Sequence, residues 1–115
     1  MVNPDDLLTV AAEMQKPMEL YLQWRQVFDR LERGKNTVLG QIMKKLALGG
    51  EIKSAETMKL LAHADEVFVA YLAEMDKAEK NMVKAKIKFD NLKNQFDAIQ
   101  SAMAYQREEM RRAIA

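Results

Sequence analysis

The side chains that could carry out acid–base, nucleophilic or metal chemistry are sparse in this chain and do not gather. His63 is the only histidine, so there is no set of imidazole metal ligands and no second imidazole for a dyad. The chain has no cysteine, which removes thiolate nucleophiles, thiolate metal sites and disulfides, and fits a reducing compartment. Carboxylates pair locally, Glu74 with Asp76 and Glu108 with Glu109. Acid–base work needs a pocket that moves a pKa toward the operating pH, and neither pair lies near a Gly-rich loop or a buried polar cluster. Leu48-Gly49-Gly50-Glu51 has neither the P-loop spacing nor the dinucleotide-binding spacing. The sequence therefore predicts a protein that is not an enzyme, with no catalytic residue, no metal site and no cofactor.

One charged pattern offers a different chemistry. Lys77, Lys80, Lys84 and Lys88 recur at three- and four-residue spacing, which places four ammonium groups on one side of a helix. Such a row can track a phosphate backbone by counterion release. Against this, Asp76 and Glu79 are near enough in sequence to form helical ion pairs that neutralise part of the field. The formal charge of the chain is only +1, so no global field attracts nucleic acid. A solvated charged face is the favoured reading, and nucleic-acid contact through these lysines is an alternative. Arg107, Arg111 and Arg112 suit the negative end of a helix dipole.

The elements that position these groups are helices. Four glycines and two prolines in 115 residues supply too few turns for a multi-stranded sheet. Charged residues at 30% with aromatics at 7% match the composition of long helices and coiled coils. From Phe68 a seven-residue repeat runs to Ala113. Its first positions are Phe68, Met75, Met82, Phe89, Phe96, Met103 and Met110; its second are Tyr71, Ala78, Ala85, Leu92, Ile99, Gln106 and Ala113. A repeat sustained this long marks a helix that packs along a seam. An earlier stretch has a seam of its own, through Tyr21, Trp24, Phe28, Leu31, Lys35, Val38, Ile42 and Lys45.

Boundary signals divide the chain. Asn3-Pro4-Asp5-Asp6 is a helix start, and Pro17 interrupts the helical spacing of Leu7, Val10, Ala11 and Met14. This predicts a short helix over 4–16 and, over 17–48, a second helix or a kinked continuation of the first, then a Gly-Gly turn at 49–53. A short helix over 54–63 follows, and a long heptad helix over 65–112, with a small break at Asp65. The whole is expected to be one domain, 1–115: an all-α antiparallel helical hairpin or coiled coil with a short N-terminal and a long C-terminal helix.

Lengths give a further expectation. A helix over 17–48 spans about 45 Å and one over 66–112 about 70 Å, while a short first helix covers only about 20 Å. The distal seam would then lack a full-length partner. An uncovered row of this kind is a patch that monomers rarely tolerate, so Phe89, Leu92, Phe96, Ile99, Met103 and Met110 are the expected oligomer or partner interface. The nine methionines, four of them in first-position seam sites, fit core filling in a self-associating coil or an adaptable recognition groove. A homo-oligomer is expected. No apolar stretch reaches about 18 residues, and Met1 to Asp6 lacks a basic region followed by an apolar run. The expected location is therefore the cytoplasm, without membrane contact.

Four stretches carry a family resemblance. They are Phe28-Asp29-Arg30-Leu31-Glu32-Arg33, Ile52-Lys53-Ser54 after the turn, Val69-Ala70-Tyr71-Leu72, and the charged heptad helix ending Gln106-Arg107-Glu108-Glu109-Met110. In these, from about residue 20 onward, the chain resembles a group of small helical-hairpin proteins of tailed phages and prophages, often encoded near single-strand-annealing recombination genes. The group's usual aromatic-Arg pair in the distal helix is absent, where the chain reads Phe89-Asp90-Asn91-Leu92. The group brings no catalytic motif. The resemblance implies a phage or prophage accessory protein in the host cytoplasm, mediating protein–protein interaction in DNA recombination or replication, with a protein of that machinery as partner. Direct nucleic-acid binding and a virion-assembly or scaffolding coil are the alternatives. The small two-helix secretion substrates of Gram-positive bacteria fit less well, because their Trp-x-Gly turn is missing: Trp24 sits in Gln23-Trp24-Arg25.

Overall fold

In the computed structural model, residues 3–50 and 54–114 are described. They form three helices: α1, Pro4–Leu48; α2, Ala55–Ala64; and α3, Glu66–Ile114. No strand occurs among the described residues, and the fold is an all-α helical hairpin. Positions 51–53 of the expected turn lie outside the described residues.

Local chemistry accounts for the helix ends. Asn3 accepts the Asp5 N–H on Oδ1 at 3.0 Å, and Asp6 returns the favour by accepting the Asn3 N–H at 3.3 Å. This reciprocal cap satisfies otherwise orphaned donors at the start of α1. At its other end, Gly49 and Gly50 donate to the carbonyls of Leu46 and Ala47. Gly50 takes φ +72°, a left-handed conformation that closes helices and that a Cβ would strain. Ser54 caps α2 through the Thr57 N–H. Asp65 is extended (ψ 138°), and its Oδ1 accepts the Val67 N–H at 2.8 Å. One residue thus ends α2 and caps α3.

Helix α1 overturns the expectation of a separate short helix before Pro17 and keeps the alternative, a continuation through it. Its 45 residues run through the proline without a break, so there are no separate helices over 4–16 and 17–48, and the N-terminal helix is not short. Proline cannot donate to the carbonyl of Glu13 and its ring crowds the preceding turn, a cost of about 3 kcal/mol. Burial offsets it. Pro17 is buried, and Leu7, Val10, Met14, Pro17 and Tyr21 keep one seven-residue phase across it.

The packing falls into two compact units. One joins Gln23–Asn81, with all of α2; the other joins α1 as far as Leu22 to α3 from Met82 onward. In the first, a third helix supplies the cover that a pair lacks. Phe68 and Ala62 are fully buried, and His63 meets the Phe68 ring edge-on at 5.3 Å. Tyr71 of α3 donates its hydroxyl to the Leu31 carbonyl of α1, over Gly34, where a Cβ would lie only 2.7 Å from that oxygen. The second unit has two helices only. Its buried residues are Val10, Pro17 and Ala85, and its large seam side chains stay half-buried.

Candidate interaction surfaces

Each proposed seam residue can now be placed. Phe89, Leu92, Phe96, Ile99 and Met103 are half-buried in the two-helix unit, whose other member is the start of α1. The expected long overhang is therefore corrected: it rested on a first helix ending near residue 16, and α1 does not end there. Only the last turns stand clear, with Met110 60% exposed and every described residue from Arg107 onward exposed. Half-burial is what two helices can give, since a seam of this width is closed only by a third or fourth helix.

The four lysines are all exposed. Lys77 and Lys80 belong to the three-helix unit, Lys84 and Lys88 to the two-helix unit. The expected neutralising pairs with Asp76 and Glu79 are not formed. The ion pairs among the described residues are Arg25–Asp29 at 3.9 Å and Arg111–Glu108 at 3.8 Å, both exposed and worth little.

His63 is explained by packing. Its Nδ1 lies 2.7 Å from the Lys59 carbonyl, which can only accept, so Nδ1 carries the proton. The ring also meets Phe68 edge-on, at the corner between α2 and α3, while His63 itself stays exposed. Among the described residues no three His, Asp or Glu side chains converge on a point where a metal could sit.

A surface that the heptads alone did not reveal lies on one side of the two-helix unit. Met18, Tyr21, Lys86, Phe89 and Asp90 line a shallow cleft there. Apolar walls and a single pair of opposite charges suit it to a side chain of another helix. Met18 also belongs, by helical spacing, to an apolar stripe of α1, where Leu8 is 69% exposed, Met18 40% and Leu22 48%. The sequence did hold a signal for this. In α1, seam residues are followed directly by a second apolar residue: Leu7-Leu8, Val10-Ala11, Pro17-Met18, Tyr21-Leu22. A helix that repeats such doublets has an apolar face too wide for one partner.

Compared with protein-family models, with curated proteins and with solved structures, the chain matches none. The surfaces themselves must carry the functional argument. Among the described residues no helix is long and apolar enough to cross a membrane.

Proposed function

We propose that this chain is a non-catalytic accessory protein that works by helix–helix association, with a second copy of itself and with a protein of phage or prophage DNA recombination or replication in the host cytoplasm. The observation that supports this reading is the half-buried seam of the two-helix unit, where Tyr21, Phe89, Phe96 and Ile99 all remain partly in contact with water. The recombination context comes from the resemblance in the segments around Phe28 and Tyr71.

Sedimentation equilibrium of the purified chain tests the core of the reading. The expected result is a dimer or larger closed oligomer at micromolar concentration. A mass of one chain at all concentrations would remove it, and open-ended polymerisation would favour the scaffolding alternative. Affinity purification from phage-infected or prophage-induced cells, with recombination and replication proteins scored among those retained, tests the second partner.

A second reading has its own support. Lys77, Lys80, Lys84 and Lys88 are exposed, with no carboxylate of the described residues within the 4.0 Å of an ion pair. Binding of single- or double-stranded DNA through them would weaken steeply with salt and on Lys80→Glu with Lys84→Glu. Absence of binding at low salt would end this reading.

A further inference from the structure

The cleft side of the two-helix unit has a pattern that matches itself when reversed. On α3, Lys86 and Asp90 line the cleft, and Lys93 and Asp97, one heptad further on, extend the same side. All four are exposed. Read along the helix the charges alternate: plus, minus, plus, minus. Against a second copy running the opposite way, Lys86 meets Asp97 and Asp90 meets Lys93, and each pairing occurs twice. Against a copy running the same way in register, every charge meets its like.

The stripe on α1 has the same symmetry. Gln15 is at its middle, with Leu8 and Leu22 seven residues to either side and Ala12 and Met18 three to either side. Reversal about Gln15 places leucine on leucine and the bulky Met18 over Ala12. The two centres also lie at about the same height. The cleft puts Met18 and Tyr21 level with Lys86 to Asp90. Stepping back along α1 to Gln15 advances along antiparallel α3 by the same rise of 1.5 Å per residue, to the middle of the charged row between Asp90 and Lys93. A single two-fold axis therefore serves both helices.

We propose that this face is the dimer interface: two copies pack it together about a two-fold axis through Gln15, perpendicular to the helices, forming an antiparallel four-helix bundle. The inference rests on the self-association proposed above and specifies its surface and direction. The occupant is a second copy because both halves of the pattern, apolar and charged, are complementary to themselves, the requirement of a two-fold contact. Unpaired charges against a wrong register supply the specificity. The cleft then receives side chains of the partner's α1, and Tyr21 and Phe89 lose their remaining contact with water.

The absence of cysteine makes the test clean. Full-length Leu8→Cys and Leu22→Cys chains, mixed and oxidised gently, should form the Leu8→Cys–Leu22→Cys heterodisulfide in excess over either homodisulfide; a parallel dimer would give the homodisulfides instead. Independently, Lys86→Glu with Lys93→Glu turns the row wholly acidic, and Asp90→Lys with Asp97→Lys turns it wholly basic. Each variant alone should raise the dimer dissociation constant by about tenfold or more, and mixing the two should restore the parent value. Helicity by circular dichroism confirms that each remains folded. If the parent is a dimer but homodisulfides dominate, or the charge variants dissociate no more readily than the parent, or mixing fails to restore association, this surface is wrong while self-association stands. If the parent is monomeric throughout, the proposed function falls with it.

Discussion

Replacing Gly34 by alanine should have opposite effects on stability according to whether Tyr71 keeps its hydroxyl. A Cβ at position 34 would lie 2.7 Å from the Tyr71 oxygen but 3.9 Å from Cζ. The first separation is a clash and the second an ordinary contact. Within a helix, Gly→Ala by itself stabilises by about 0.8–1 kcal/mol. In the native background the new methyl group also pushes the hydroxyl away from the Leu31 carbonyl. Leu31 keeps its helical hydrogen bond, but the part-buried hydroxyl loses its partner, which costs about 1–3 kcal/mol. The net result lies between neutral and about 2 kcal/mol destabilising. In a Tyr71→Phe background the oxygen is gone, and the same Gly34→Ala change should stabilise by about 1 kcal/mol. The two sites are thus coupled by about 2 kcal/mol in a double-mutant cycle. Urea unfolding followed by circular dichroism at one fixed protein concentration measures it. Equal stabilisation by Gly34→Ala in both backgrounds would refute the reasoning, because it would mean that Tyr71 does not lean on Gly34.

Three further outcomes are expected. Asp65→Ala should destabilise by about 1 kcal/mol through loss of the α3 cap, read from the urea midpoint; no change would mean that the Val67 N–H is satisfied elsewhere. Pro17→Ala should stabilise by about 1–2 kcal/mol, because recovery of the hydrogen bond to Glu13 exceeds the lost burial and the lost restriction of the unfolded chain; a lower melting temperature would contradict a continuous α1. Phe96→Ala should cost about 1.5–2.5 kcal/mol even in dilute solution, roughly half the value for a fully buried ring, whereas Met110→Ala should stay within about 0.5 kcal/mol. Similar costs at both positions would mean that α1 does not cover Phe96.

Much of the fold was legible because the signals were local or strictly periodic. Caps at Asn3, Ser54 and Asp65 are fixed by side-chain oxygens within three residues of the N–H groups they serve. The phase of the α3 seam follows from seven consecutive first-position apolar residues. The role of Gly34 was less legible. A glycine in a helix can reflect a bend or a close approach, and only the distant Tyr71 decides between them. The cleft at Met18 and Lys86 was hidden for a related reason: it needs the relative height of two helices, and a repeat along either one leaves that height free.

Pro17 shows how a strong local rule yields to a weaker signal summed over a longer span. The cost of an interior proline is about 3 kcal/mol, enough to end a helix that has nothing to gain by continuing. Here continuing keeps Leu7, Val10 and Met14 in phase with Tyr21 and lays them along the α3 seam, and burying side chains of this size is worth about 1.5–3 kcal/mol each. A break at residue 17 would abandon that shared phase and with it the half-burial of the two-helix unit. The preserved phase across the proline was visible in the sequence and outweighs the proline itself. The same count also explains the outward stripe. Two helices can close a seam one residue wide, but the doublets Leu7-Leu8, Pro17-Met18 and Tyr21-Leu22 make α1 apolar on a second side that α3 cannot reach. That second side carries the exposed Leu8, Met18 and Leu22, and it is the face on which the proposed dimer rests.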